Sequence, residues 1–332
     1  MSRSGVEKGQ GMPEDRAHGS ADGKSSVLGR LVTAARSGMR RYPRHLYHSF
    51  KRQPAAEHAP AAELDLCQFG SHDLSAVWIG HATTLMRVGG MNILTDPVFS
   101  HRIGMTIGRK TFGLGRMAAL PLDVPHLPPI DLIVISHAHF DHLDKPSLAR
   151  LVSSRTTLVT AAKTRRLIPR GFGHVVEVDW NDELEITPAR GPGGVKLTAL
   201  QPRHWGARTA VDKHRGYNSY LIEGGESDGR RRVLFAGDTA HTDAFDGLGG
   251  VDLAAMGIGA YEPWIQAHAS PEQAWSMFSR MGGEYLLPMH HSTFDLGEEG
   301  LDEPMQRLLR AAEGEHHRIV CRRAGEVWGK AG

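Results

Sequence analysis

From about Leu74 onward, short β-prone apolar runs recur along the chain, and each stops at a polar residue. SAVWIG leads to His81, MNILTD to Asp96 and DLIVIS to His137; VKLTAL leads to the loop that holds His204, RRVLFAG to Asp238 and EYLLPM to His290. Apolar runs this short, bounded by turn residues, predict strands. Apolar positions at helical spacing predict helices at about 145 to 153, 161 to 169, 271 to 281 and 301 to 313. The third opens with Ser270 as a cap and Pro271 in the first helical position, where a missing N–H costs nothing. Strands alternating with helices predict an α/β chain whose functional side chains sit on loops at strand ends.

Upstream the pattern dissolves. Residues 1 to 26 are polar and glycine-rich, too poor in apolar area to offset their ordering entropy, and are expected to form a disordered tail. Val27, Leu28, Leu31, Val32 and Ala35 then fall at helical spacing among Arg30, Arg36, Arg40, Arg41 and Arg44, and residues 54 to 63 resemble a linker. The basic segment reads either as a helix docked on the protein's own core or as a membrane-surface element. The division expected is therefore 1–60, tail with short basic segment and linker, and 61–332, one folded domain.

Composition narrows the function classes. Lys+Arg 39 against Asp+Glu 37 nearly cancel, so net charge gives no pull toward nucleic acid, and no RNA-binding motif is present. Cys67 and Cys321 are the only cysteines and lie far apart, which predicts free thiols rather than a disulfide framework. No apolar run reaches the length of a signal-peptide core or a membrane span, so the expected location is the cytoplasm, with peripheral membrane contact through the N-terminal segment as an addition. The 20 His are the one excess. They are scattered into short motifs rather than run together as a tag, which brings metal binding forward.

The segment HAHFDH at 137 to 142 packs three imidazoles and a carboxylate into six residues, directly after an apolar strand. Imidazole nitrogen and carboxylate oxygen suit zinc, and a loop at a strand end turns alternate side chains toward one centre. His137 and His139 are then expected to share one ion, with Asp141 and His142 serving a second. Two ions need further ligands at later strand ends. QPRHWGART offers His204, LFAGDT offers Asp238, and PMHHSTF offers His290 and His291. A carboxylate such as Asp238 can bridge two cations about 3.5 to 4 Å apart; read alone, it is equally a turn residue after Gly237.

In order, GHATTL, LTDP, HAHFDH, QPRHW, AGDT, GAYEP and HHSTF resemble the metallo-β-lactamase superfamily, and within it the branch containing N-acylphosphatidylethanolamine-hydrolysing phospholipase D. The resemblance runs from about Ser75 to Pro304. It implies an αββα four-layer sandwich with the metal site along one edge of two central sheets. It also implies His137, His139 and His204 on a first zinc, Asp141, His142 and His290 on a second, and Asp238 between them. Fe or Mn can occupy related sites. The family's ligand histidine stands four residues before the phenylalanine, which selects His290; His291 and Ser292 replace an aromatic residue and a glycine common in the family.

The same resemblance gives supporting roles. Asp96 matches an aspartate that orients a ligand imidazole, or else is a turn residue before Pro97; His81 matches a hydrogen-bonded residue near the site; and His268 matches a histidine at the active-site mouth, which either protonates the leaving alkoxide or touches phosphate, or else is solvent-exposed. Asp141 is expected to orient the attacking water as well as bind metal, and Tyr261 either lines the pocket or simply packs. Residues 103 to 117, IGMTIGRKTFGLGRM, read as a flexible apolar loop that admits a lipid chain near Arg109 or Lys110, or else as core. The function expected is a dizinc phosphodiesterase of phospholipase D type that cleaves N-acyl phospholipids or related phosphodiesters with a metal-activated water. A lactonase or other ester or amide hydrolase is the alternative enzyme, and a metal- and lipid-binding module is the non-enzyme reading.

Overall fold

The computed structural model describes residues 66–330, except 109, 210–211 and 226–228. The expected tail, basic segment and linker lie outside the described residues, as does Arg109 and with it the phosphate-holding role given to Arg109 or the Lys110 side chain. Among the described residues, fifteen strands run in chain order: β1 Leu74–Gly80, β2 Thr83–Val88, β3 Met91–Thr95, β4 Arg102–Ile107, β5 Lys110–Gly115, β6 Leu132–Ile135, β7 Thr157–Ala161, β8 His174–Val178, β9 Glu183–Ile186, β10 Val195–Leu200, β11 Ser219–Gly224, β12 Arg231–Phe235, β13 Leu253–Gly257, β14 Tyr285–Met289 and β15 Val327–Lys330. The helices are α1 Leu66–Gly70, α2 Lys145–Arg150, α3 Pro271–Arg280 and α4 Glu303–Ala311. All six strands expected from the polar-ended runs are present.

Two sheets form the centre, a seven-stranded one in the order β15-β1-β2-β3-β6-β7-β8 and a six-stranded one in the order β14-β13-β12-β11-β10-β9. Alternation along the strands explains how they stack. Ala76, Trp78, Met86, Ile93, Leu132 and Val134 of the first sheet bury one face against Leu197, Tyr220, Val233, Phe235, Leu253 and Leu287 of the second. The opposite face of the first sheet, with Val77, Ile79, Leu85, Ile133 and Ile135, packs on Phe69 of α1 and Leu148 of α2. The opposite face of the second, with Leu234, Ala254, Met256 and Leu286, packs on Met277 and Phe278 of α3 and Leu308 of α4. The layering is therefore αββα, as expected. Burying a side chain such as Met277 or Phe278 contributes about 1.5 to 3 kcal/mol.

Two local expectations are corrected. The helix expected at 161 to 169 is strand β7 up to Ala161, then a single 3₁₀ turn at Arg165–Leu167. Lys163 has φ 61°, outside helical space, and the Arg165 N–H donates to the Glu177 carboxylate at 2.7 Å instead of to a helical carbonyl. The flexible loop expected at 103 to 117 is largely the β4–β5 hairpin, paired from Arg102↔Gly115 to Ile107↔Lys110. Its Ile103 and Leu114 pack with Val98, Phe140, Phe294 and Leu296, so this segment joins the core, although Met105 is exposed. No helix among the described residues is long and apolar enough to cross a membrane.

Candidate metal centre

The loops after β1, β3 and β6 of the first sheet and after β10, β12 and β14 of the second meet along one rim. The sheets are tied there by Asn218 N–H donating to the Ser136 carbonyl at 2.9 Å. Gly237 makes the approach possible: its φ is 56°, and a Cβ on it would stand 2.8 Å from Ser136 Cβ. Only glycine lets the Asp238 loop come this close to the His137 loop.

Asp238 lies at the centre. Its Oδ2 is 3.0 Å from His142 Nε2, 3.6 Å from His204 Nε2 and 3.7 Å from His137 Nε2; its Oδ1 is 3.2 Å from His290 Nε2. Ligand-type atoms of His137, His139, His204 and Asp238 lie within 4.8 Å of one another, as do those of His81, Asp141, His142 and His290. The structure thus brings all seven expected ligands together, with His81, expected only as a supporting residue, joining the second group and Asp238 3.0 to 3.7 Å from histidines of both. His291 is in neither group. Its ring stacks on Trp78 at 4.5 Å and its Nδ1 is 2.8 Å from Ser292 Oγ.

Asp96 is fully buried and serves one histidine of each group. It accepts from His142 Nδ1 at 2.6 Å, from Ser136 N–H at 2.7 Å and from Ser136 Oγ at 2.5 Å. Because the Ser136 hydroxyl is spent on Asp96, its oxygen accepts from His137 Nδ1, 2.9 Å away. His204 Nδ1 donates to the Ala267 carbonyl at 3.0 Å. These bonds fix three rings with Nε2 facing the cluster, which is how supporting partners set a ligand imidazole.

His81 is held through its backbone and its Nε2. Its N–H donates to Thr293 Oγ1, its carbonyl accepts from Trp78 Nε1 and from His290 N–H, and its Nε2 is 2.9 Å from Asp141 Oδ2. His81, Asp96 and His290 have φ of 54°, 31° and 61°, a region that costs a non-glycine residue of order 1 kcal/mol or more and persists only when surroundings over-determine it. His268 closes the wall, its Nδ1 3.8 Å from Asp238 Oδ2 and its side chain 14% exposed, as is that of Asp141. Tyr261 does not reach the cluster: its hydroxyl donates to Glu303 and its ring lies under Arg307, so the packing role is the one it fills.

The electrostatics divide the site. Burial, reinforced by neighbouring imidazoles, holds His137 and His204 well below the ordinary histidine range, and burial lowers His139 too. His81 is pushed down to about 3 and His268 to about 4, both mainly by burial. In the other group burial also opposes protonation, but the Asp238 and Asp141 charges overcome it, raising His142 well above its usual value and His290 to about 9. Burial likewise works against the charged forms of Asp141 and Asp238, yet the cationic His142 beside them holds both carboxyls well below the usual range. His142 Nε2, His290 Nε2 and Asp238 Oδ1 are buried without a hydrogen-bond partner. Leaving three such atoms unsatisfied is costly; converging on one centre, they fit a divalent cation.

Residues that ligand-type reasoning passes over complete the site. Ser136 relays Asp96 to His137. Trp205 stacks on His204 at 4.5 Å and is 43% exposed. Arg208, four residues after His204, reaches the main chain of the HAHFDH loop. The first two adjoin ligand histidines in sequence, which is the signal that would find them.

Residues 91–291 match the β-lactamase superfamily domain. An uncharacterised protein of Mycobacterium tuberculosis is 30% identical over 298 residues, 84% of this chain and 74% of that one. The N-acyl-phosphatidylethanolamine-hydrolysing phospholipase D 1 of Caenorhabditis elegans is 28% identical over 277 residues, 77% of this chain and 75% of its own. Among solved structures, a possible metal-dependent hydrolase from Veillonella parvula superposes with a TM-score of 0.59 at 15% identity, over 78% of this chain and 100% of that one, a likeness of fold.

Proposed function

Because the chain belongs to the metallo-β-lactamase superfamily and is a metal-dependent hydrolase of that family, we propose that it is a dizinc phosphodiesterase of phospholipase D type, acting on N-acyl phospholipids or related phosphodiesters. The observation that carries this reading is Asp238 standing between two donor groups, supported by the similarity to the nematode phospholipase. His137, His139 and His204 would hold one ion and Asp141, His142 and His290 the other, with Asp238 shared between them.

Divalent ions held there would supply Lewis acidity, lowering the pKa of water toward 7 and stabilising charge on a phosphoryl oxygen. The chain's own groups do the rest. Two carboxylates, Asp141 and Asp238, leave a doubly occupied centre with net positive charge, which favours an anionic substrate. Asp141, fixed by His81, presents a partly exposed oxygen that orients the attacking water. His268 is mainly neutral near pH 7, so it gives a hydrogen bond to the phosphoryl or leaving oxygen rather than acting as a standing acid.

A purified, zinc-loaded sample assayed against bis-p-nitrophenyl phosphate, N-acyl-phosphatidylethanolamine and a lactone series tests the reading. Turnover of the phosphodiesters is expected. Turnover of lactones with none of either phosphodiester reverses it in favour of an ester hydrolase, and no turnover with two ions bound favours a binding module.

A further inference from the structure

Outside the ligand set, one cation sits against the loop that supplies four of the seven ligands. Arg208 Nη1 is 2.8 Å from the Ala138 carbonyl, 2.8 Å from the Leu143 carbonyl and 3.5 Å from the His139 carbonyl. Its Cζ lies 4.0 Å over the Phe140 ring. Ala138 and Leu143 are fully buried, so their carbonyls need a protein donor. The HAHFDH loop closes on itself through His142 N–H and Leu143 N–H, both donating to the His139 carbonyl. That turn aims carbonyls at a single point, and a guanidinium satisfies them while its flat face covers Phe140, which an ammonium cannot do.

Arg208 arrives on the loop that carries His204. The intervening Gly206 passes so close to the Arg215 and Gly216 carbonyls that a Cβ there would stand 2.5 and 2.2 Å from them, which fixes the path from His204 to Arg208. On the other side Phe140 packs with Val98, Ile103 and Phe294, joining the β4–β5 hairpin and the HHSTF segment to the same point.

We propose that Arg208 is a positioning residue that locks the HAHFDH loop to the His204 loop, and so sets the spacing of His137 and His139 relative to His204. It touches no reacting group and acts through main-chain carbonyls. The inference rests on the reading of this cluster as a metal centre.

Metal content and affinity of wild type, Arg208→Ala and Arg208→Gly, by metal analysis after dialysis and chelator competition, test it beside circular dichroism and thermal melting of the metal-free proteins. Supporting partners of metal ligands typically change affinity about 10- to 100-fold. The expected result is a loss of that size in both variants with the metal-free fold retained, and recovery of affinity in Arg208→Gly on adding a few millimolar guanidinium, well below denaturing concentrations, but not on adding equal sodium chloride. Wild-type affinity in Arg208→Ala overturns the proposal, as does a loss that accompanies unfolding and that guanidinium does not reverse. A wild-type chain that binds no metal defeats the metal-centre reading instead, so the two failures are distinct.

Discussion

The rim between the sheets and the helix pair on the outer face of the second sheet solve opposite problems. At the rim, imidazoles and carboxylates are buried together, several of their polar atoms, His142 Nε2, His290 Nε2 and Asp238 Oδ1 among them, lack partners, and His81, Asp96 and His290 hold left-handed backbone. In the helix pair the local choices at the start of α3 and across the contact between the helices agree with the fold. Ser270 and Gln273 form a reciprocal capping box at the start of α3, Pro271 takes a position with no N–H to lose, and Arg307 of α4 pairs with Glu272 of α3 at 2.9 Å. The contrast separates residues kept for chemistry from residues kept for stability, because strain and unsatisfied polarity persist only where something else requires them.

The comparison can be broken first at Asp96. In Asp96→Asn one carboxylate oxygen becomes an NH₂ that faces a donor, either Ser136 N–H on one side or Ser136 Oγ and His142 Nδ1 on the other. Metal affinity is expected to fall about 10- to 100-fold, read by chelator competition, with both groups weakened because Asp96 supports His142 directly and His137 through Ser136. Unchanged affinity would remove the rim's claim to a built support.

At the helix pair the effects should be smaller and spare the metal. Ser270→Ala removes a cap and is expected to cost about 1 kcal/mol of stability, measured by denaturant unfolding, with metal content unchanged. Smaller still is the acid dependence of the Glu272–Arg307 pair. Its hydrogen bonds with Arg307 hold Glu272 at about 2, below its ordinary 4.5, so its contribution is complete above the ordinary value and fades as the pH falls toward 2. The pair is partly exposed, and screening keeps it below about 1 kcal/mol. Glu272→Gln should therefore lower stability by less than about 1 kcal/mol at neutral pH, a deficit that shrinks as the pH falls toward 2, read by denaturant unfolding across that range.

The two regions were not equally legible in sequence. The metal rim announces itself because HAHFDH, AGDT and HHSTF combine ligand-type residues with strand ends, and α3 because Ser270-Pro271 marks its start. What the pattern misses has physical causes. The run TTLVTA does not end on a chemically distinctive residue, so the pattern does not predict β7 and instead predicts a helix where Lys163 turns left-handed. Glycines at 104, 108, 113 and 115 interrupt the apolar alternation of the β4–β5 hairpin, so it reads as a loop. Tyr261 stands in a motif beside the site but points its hydroxyl at Glu303, a partner forty-two residues away. Arg208 serves main-chain carbonyls, which have no signature in sequence at all.

The claim on which the rest depends is that Asp238 joins two donor groups into one centre for two ions. Metal analysis of the zinc-reconstituted wild type, Asp238→Ala and His291→Ala tests it most directly. Two equivalents per chain are expected in the wild type and in His291→Ala, whose ring stacks on Trp78 away from the cluster, with metal and activity lost together in Asp238→Ala. Two ions retained without Asp238 would contradict the account.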